Sequence, residues 1–280
     1  MPRASKLPRL LAGLAAMLLA ATSAHADDVA EAPARDSLAL MGTVPIYWGE
    51  AGGLDELISG DGQTHWAREV IAQHGEPVPL DYLSQEALAQ HRNLLMAQPR
   101  GLSPEENVAL DAWVRGGGRL LLFADPMMTG ESRFHIGDRR RPQDVALLSP
   151  ILAHWGLELS FDPAQAAGLQ LADHFGDPLP VNMRGEWRYV EAEADQPCNI
   201  PGDGLLAHCR LGAGQALLVA DAAMLDIAGP YDHAENALAW LIGHALGMAR
   251  ENPRAIGDSM RDRPGNETIS SEMSQESARD

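Results

Sequence analysis

The 280-residue sequence predicts an α/β protein of three layers, a parallel sheet with helices on both faces and an antiparallel extension. Three observations predict it. Short apolar runs alternate with helical patterns through the first half of the chain, the order that builds a parallel sheet. Two of the runs, RLLLF and QALLV, are continuously apolar, as strands buried on both faces are. Between 157 and 210 the pattern changes to short alternating runs (LELSF, GLQLA, WRYVEAEA, LLAHC) between Pro and Gly turns, the mark of antiparallel strands.

The N-terminus reads as an export signal. Arg3, Lys6 and Arg9 precede the apolar run LLAGLAAMLLAAT, and Ala24-His25-Ala26 has the small-x-small form of a cleavage site. Cleavage after Ala26 removes three basic residues and leaves a chain more acidic than its formal −18. So acidic a chain repels nucleic acid and anionic lipid. No transmembrane segment is expected in the mature chain. Residues 27–37 read as a linker, 38–249 as the α/β domain with 157–210 its β-rich insertion, and 250–280 as a disordered tail rich in charge, Ser and Pro.

Leu38 to Trp48 (LALMGTVPIYW) reads as the first strand, and THWAREVIAQHG as a helix after it. Pro77 to Leu80 is a short strand, SQEALAQH a helix, and Asn93 to Met96 another strand. Ser103 and Glu106 then have capping-box spacing, with Pro104 at the first helical position. Val108, Ala109, Ala112 and Trp113 share one face of that helix, and Gly116 is the left-handed residue expected to end it.

The Gly116-Gly117-Gly118 run has the wrong order for a phosphate loop. A phosphate rests on free N–H groups at the start of a following helix. Here a helix precedes the glycines and a strand follows, so they meet a carbonyl terminus that repels anions.

Asp125 stands at the carboxyl end of RLLLFAD, and Asp221 at the same place in QALLVAD. Two parallel strands would deliver both to the edge where ligands of open α/β sheets collect. Either aspartate could equally cap the loop after its strand. The long loop from Pro126 to Leu148 holds Arg139, Arg140 and Arg141, which would bind an anion above that edge or pair with surface carboxylates. Cys198 and Cys209 have the spacing of a local disulfide in an oxidising compartment. The last helix, from Asp232, places Ala234, Leu238, Leu241, Ile242 and Ala245 on one stripe; Asp232 and Glu235 have capping-box spacing and Gly247 closes it.

The segments LSPEENVALDAWVRGGGRLLLFADP and GAGQALLVADAAMLD with DHAENALAWLIG are similar to the domain of the gliding-motility, ABC-transporter auxiliary family. That resemblance implies a class I glutamine amidotransferase-like fold related to flavodoxin-like sheets, outside the cytoplasm and attached to membrane helices. Amidotransferases of this fold carry a cysteine nucleophile on a strand-to-helix elbow and a His-x-Glu pair before a late helix. His233-Ala234-Glu235 occupies the latter place, but LLMAQPRG and LLLFADPM offer no cysteine after either central strand. A base without a nucleophile completes no covalent mechanism.

The expected function is therefore an exported, periplasmic or secreted, non-catalytic domain that binds a partner or ligand at the carboxyl edge of its sheet. It would be a binding or accessory subunit of a cell-envelope or ABC-transporter-associated system, with an envelope protein as its partner and no cofactor. The alternative is a hydrolase using Asp125, Asp221 and His233. A divalent metal would assist it if these and Asp226 converge, since carboxylate and imidazole suit such ions.

Overall fold

The structure is a computed structural model that describes residues 37–50, 55, 64–174, 177–191 and 197–247. The expected export signal and cleavage after Ala26, most of the expected linker, and the 250–280 segment lie outside the described residues.

Leucine-rich runs with no polar alternation form the middle of the sheet. β1 (Ser37–Gly42), β2 (Glu76–Pro79), β3 (Asn93–Ala97), β4 (Arg119–Phe123), β10 (Leu206–Leu211), β11 (Gly214–Val219) and the two-residue β9 (Cys198–Asn199) make one sheet in the order β2-β1-β3-β4-β11-β10-β9. The pairs from β2 to β11 are parallel, and β10 and β9 add antiparallel strands at one side. β3 is buried at every position and β4 at all but Arg119. Both flanks are protected against pairing with another chain. Pro77 and Pro79 cap the β2 side, and β9 is short and tied to β10 by the Cys198–Cys209 disulfide. β1 stops at Gly42, six residues before the expected end; a Cβ there would collide with the Ala97 carbonyl.

The crossover helices follow from strand order. Right-handed connections place α1 (Trp66–Ala72), between β1 and β2, on one face. They place α2 (Gln85–Leu88) and α3 (Pro104–Arg115) on the other. α4 (Ser149–His154) packs beside α3, and α5 (Ala234–Ala245) lies over β4 and β11 against α1. The expected three-layer α/β class with an antiparallel extension is the one observed. Two small antiparallel pairs complete the 157–210 segment: β5 (Leu157–Phe161) with β8 (Gly185–Tyr189), and β6 (Gln170–His174) with β7 (Asp177–Val181).

The α3 capping box forms as expected, Ser103 Oγ accepting from Glu106 N–H and the Glu106 carboxylate from Ser103 N–H. Its buried face differs from the expected one. Glu106, Leu110 and Val114 point inward while Val108 is exposed, because Glu106 is drawn inside by the Leu83 N–H and Arg100. Gly116 is helical, and the left-handed residue is Gly117, one position later. The Asp232–Glu235 box does not form either. His233, with φ 71°, is the N-cap of α5 and gives no side-chain cap bond.

The single polar residue after each glycine turn has a purpose that spacing alone did not show. Arg119 opens β4 and Gln215 is the second residue of β11, opposite each other in register. Arg119 Nη1 donates to the Leu246 carbonyl and Gln215 Nε2 to that of Ala245 (2.7 Å). Together they supply donors to the carbonyl end of α5, which its own backbone leaves open. The turn at Gly214 sits so close to α3 that a Cβ would lie 2.0 Å from the Val114 carbonyl.

Candidate functional site

Parallel register between β4 and β11 pairs Phe123 with Val219, so both Ala-Asp pairs emerge on one rim. Asp125 and Asp221 are 0% and 1% exposed. Their oxygens are all engaged by main-chain donors. Asp125 accepts from Met127 N–H (2.8 Å) and, across to the next strand end, Ala222 N–H (3.1 Å). Asp221 accepts from Ala223 N–H (2.8 Å) and Asn182 N–H (3.1 Å). Both aspartates therefore hold the loops that follow β4, β11 and β7.

Asp226, just past the 3₁₀ turn Ala223–Leu225, completes a cluster of buried carboxyls. Its Oδ2 accepts from the Tyr231 hydroxyl (3.2 Å), and its Oδ1 lies against Gly130 of the long loop, where a Cβ would come within 2.2 Å. Burial lifts the Asp125 carboxyl to about 7, helped by the charge of Asp226 and opposed by its two N–H bonds. Burial likewise lifts Asp226 to about 6, and burial followed by the Asp125 charge raises Asp221 well above the ordinary carboxylate range. Three like charges removed from water cannot all ionise cheaply.

The crevice where strand order reverses, between β1 and β3, is filled by the chain itself. Gln98 follows β3 in a left-handed conformation, φ 46°. Its Oε1 accepts from Asp125 N–H (2.8 Å); its Nε2 donates to the carbonyls of Asp125 (3.0 Å) and Gln143 (2.9 Å). Thr43, after β1, donates its hydroxyl to the Gln98 carbonyl and accepts from Gln143 N–H (2.9 Å). The Pro126–Leu148 loop thus closes over the switch point, the position at which open α/β sheets commonly seat a ligand. Further ties reach Glu50, which accepts from Ser132 Oγ and Arg133 N–H, and Asn182, which donates to Thr129 Oγ1 (2.8 Å).

The other sequence candidates stand apart from this cluster. His233 and Glu235 are both exposed at the start of α5. Arg140 pairs with Asp138 (2.7 Å) and lies over the Phe134 ring, and Arg141 pairs with Asp144 (3.3 Å); Arg139 is exposed. Among the described residues no group of three or more His, Cys, Asp or Glu is placed to hold a metal ion. The buried disulfide between Cys198 and Cys209 joins residues directly opposite on β9 and β10.

Two residues of this rim were not singled out by the sequence. Gln98 lies in LLMAQPRG, where a polar residue between a buried strand and a proline is the one local signal of its role. His65, the N-cap of α1, is buried; its Nδ1 accepts from Ala67 N–H, so its Nε2 donates to the Leu225 carbonyl (2.9 Å). Burial lowers its pKa, against the bond to the Leu225 carbonyl, which raises it.

No protein-family model matches the sequence, and no curated protein matches it. Solved structures give distant likenesses. The chain is similar over 78% of its length to an exo-β-1,4-mannosidase from Opitutaceae bacterium strain TAV5, at 15% identity and a TM-score of 0.43, and spans only 37% of that enzyme. It is similar to the whole of the mmIFT52 N-terminal domain at 12% identity, covering 78% of this chain, with a TM-score of 0.47. A ThuA-like protein from Bacteroides uniformis is similar at 9% identity over 75% of this chain and 93% of its own, with a TM-score of 0.39. None of these values carries activity, ligand or partner from one protein to another.

Proposed function

We propose that this chain is an exported, amidotransferase-like domain that does no chemistry and acts as a binding or accessory subunit of a cell-envelope or ABC-transporter-associated system. One observation carries the reading. The left-handed residue at the turn from β3 toward α3 is Gln98, whose amide is bonded to Asp125 and Gln143. A reactive group would have to be free and exposed at such a turn. Asp125 and Asp221 support the same conclusion, since main-chain donors occupy every carboxylate oxygen.

Binding through the outer surface of the long loop fits its composition. Ile136 is 81% exposed, and Met127, Val145 and Leu147 are exposed with it. Arg133, Arg139 and Arg140 lie on the same loop of an otherwise acidic chain.

A hydrolase using Asp125, Asp221 and His233 remains the second reading, because carboxyls with raised pKa cluster at catalytic sites more often than elsewhere. Metal analysis and hydrolase assays on the purified protein, with Asp125→Ala as control, separate the two. The binding reading expects an inert wild type and capture of one envelope protein by crosslinking. Turnover lost in Asp125→Ala would replace it with the hydrolase.

A further inference from the structure

We propose that Asp125, Asp221 and Asp226 form a proton-held clasp that keeps the Pro126–Leu148 loop closed over the carboxyl rim and releases it as pH rises. The clasp joins segments far apart in sequence. Asp125 ties the start of the loop to the β11 end through Met127 and Ala222. Asp221 ties the β11 end to the turn after β7 through Asn182, whose side chain in turn reaches Thr129 of the loop. Asp226 Oδ1 packs against Gly130 of the loop, where a Cβ would come within 2.2 Å.

Among the described residues, no cation contributes to holding these carboxyls ionised. Asp125 and Asp221 each experience repulsion from their partners in the cluster. From the 229–233 turn comes Tyr231, pushed up to about 12 by burial and then by Asp226. The loop contributes Glu131, whose charge also raises Tyr231. From the β7–β8 turn comes Arg184, whose guanidinium pairs with Asp203 (2.9 Å). Gln98, just after β3, contributes a neutral amide, and His65, the N-cap of α1, contributes an imidazole whose pKa burial lowers.

A closed clasp therefore holds at least one proton that solvated aspartates would release near neutrality. Linkage then fixes the direction: opening releases protons, so raising the pH favours opening. Ionised carboxyls still accept the four N–H bonds, and those bonds oppose release. Burial and mutual repulsion outweigh them, which is why the net shifts run upward. That the uncovered rim is where a partner docks rests on the proposed binding function; the clasp itself does not.

Amide hydrogen exchange of the intact protein from about pH 5 to about pH 8 tests the clasp. Once the intrinsic pH dependence is divided out, opening at Met127, Ala222, Ala223 and Asn182 should rise by up to about ten-fold per pH unit for each proton released. Core amides such as that of Leu95 should stay level. Asp125→Asn and Asp226→Asn, which mimic the protonated form, should flatten the rise; Asp226→Asn disturbs no main-chain bond and keeps the test usable if the other fails to fold. A level profile in the wild type, or an undiminished rise in a folded Asn variant, would overturn the clasp. Failure to capture a partner would leave this result untouched and count only against the binding function.

Discussion

Gln98 and Asp125 are joined at both ends of one side-chain amide. Oε1 of Gln98 accepts from the Asp125 N–H at 2.8 Å, and its Nε2 donates to the Asp125 carbonyl at 3.0 Å. The amide thus continues the β3–β4 pairing two residues beyond Phe123, beside the point where strand order reverses. Removing it strands buried main-chain groups, which costs about 1–3 kcal/mol for each group left without a partner. Gln98→Ala should lower stability by about 3 kcal/mol in urea denaturation. Gln98→Gly should lose somewhat less, because glycine accepts φ 46° without strain. A loss within experimental error for Gln98→Ala would show that the amide is not a structural strut.

Stability should peak on the acidic side of neutrality. Burial would raise the Glu106 carboxyl, but bonds from Arg100, Ser103 N–H and Leu83 N–H outweigh it and bring it down to about 2. Its contribution is present above its ordinary value of 4.5 and fades as pH falls toward about 2. Asp125 and Asp226, lifted to about 7 and about 6, work the other way. Their folded forms bind more protons than the unfolded chain above 3.8, so stability falls as pH rises through that window. Melting temperatures measured across this range should be highest at about pH 4 and should fall as pH rises from about 5 to about 7. A Tm that climbs steadily from pH 5 to pH 8 would contradict the assigned burial of the carboxyls.

His233 is a backbone position before it is a chemical one. With φ 71° and no cap bond, a histidine there carries left-handed strain of about 1 kcal/mol. His233→Gly should raise stability by about 0.5–1 kcal/mol. Glu235→Ala, on an exposed side chain, should change it by less than about 0.5 kcal/mol. Any hydrolytic activity abolished by His233→Gly would return this residue to the catalytic role that the His-x-Glu pattern suggested.

The disulfide closes a loop of sequence separation 11. Such a short loop is worth about 3 kcal/mol at most through the unfolded state. Cys198→Ala with Cys209→Ala should therefore lower stability by up to about 3 kcal/mol, with the effect confined to exchange in β9 and β10. Reduction of the wild type should reproduce it. No change on reduction would mean that the β9 edge is held by packing alone.

Much of the architecture was legible because its strands are plain. RLLLF and QALLV have no polar alternation, and each ends in Ala-Asp, so their shared polarity and common rim could be read directly. The Ser103–Glu106 box was legible for the same reason: capping is local. What spacing could not reveal depends on partners distant in sequence. Glu106 turns inward because Leu83 and Arg100 receive it, which rotates the buried face of α3 away from Val108. Gln98 acquires its role only once Asp125 and Gln143 are beside it. The α5 start follows the Tyr231–Ala234 turn, whose main-chain bond takes the place of an Asp232 cap.

A photo-crosslinking residue placed at Ile136, on the rim loop, and another at Arg92, just before β3 on the opposite edge, test the binding account most directly. Both go into the full chain, in envelope preparations, with unlabelled protein as competitor. The account predicts one specific adduct from Ile136, abolished by competitor and missing from Arg92. Adducts from Arg92 alone, or equal non-competed labelling at both positions, would contradict it.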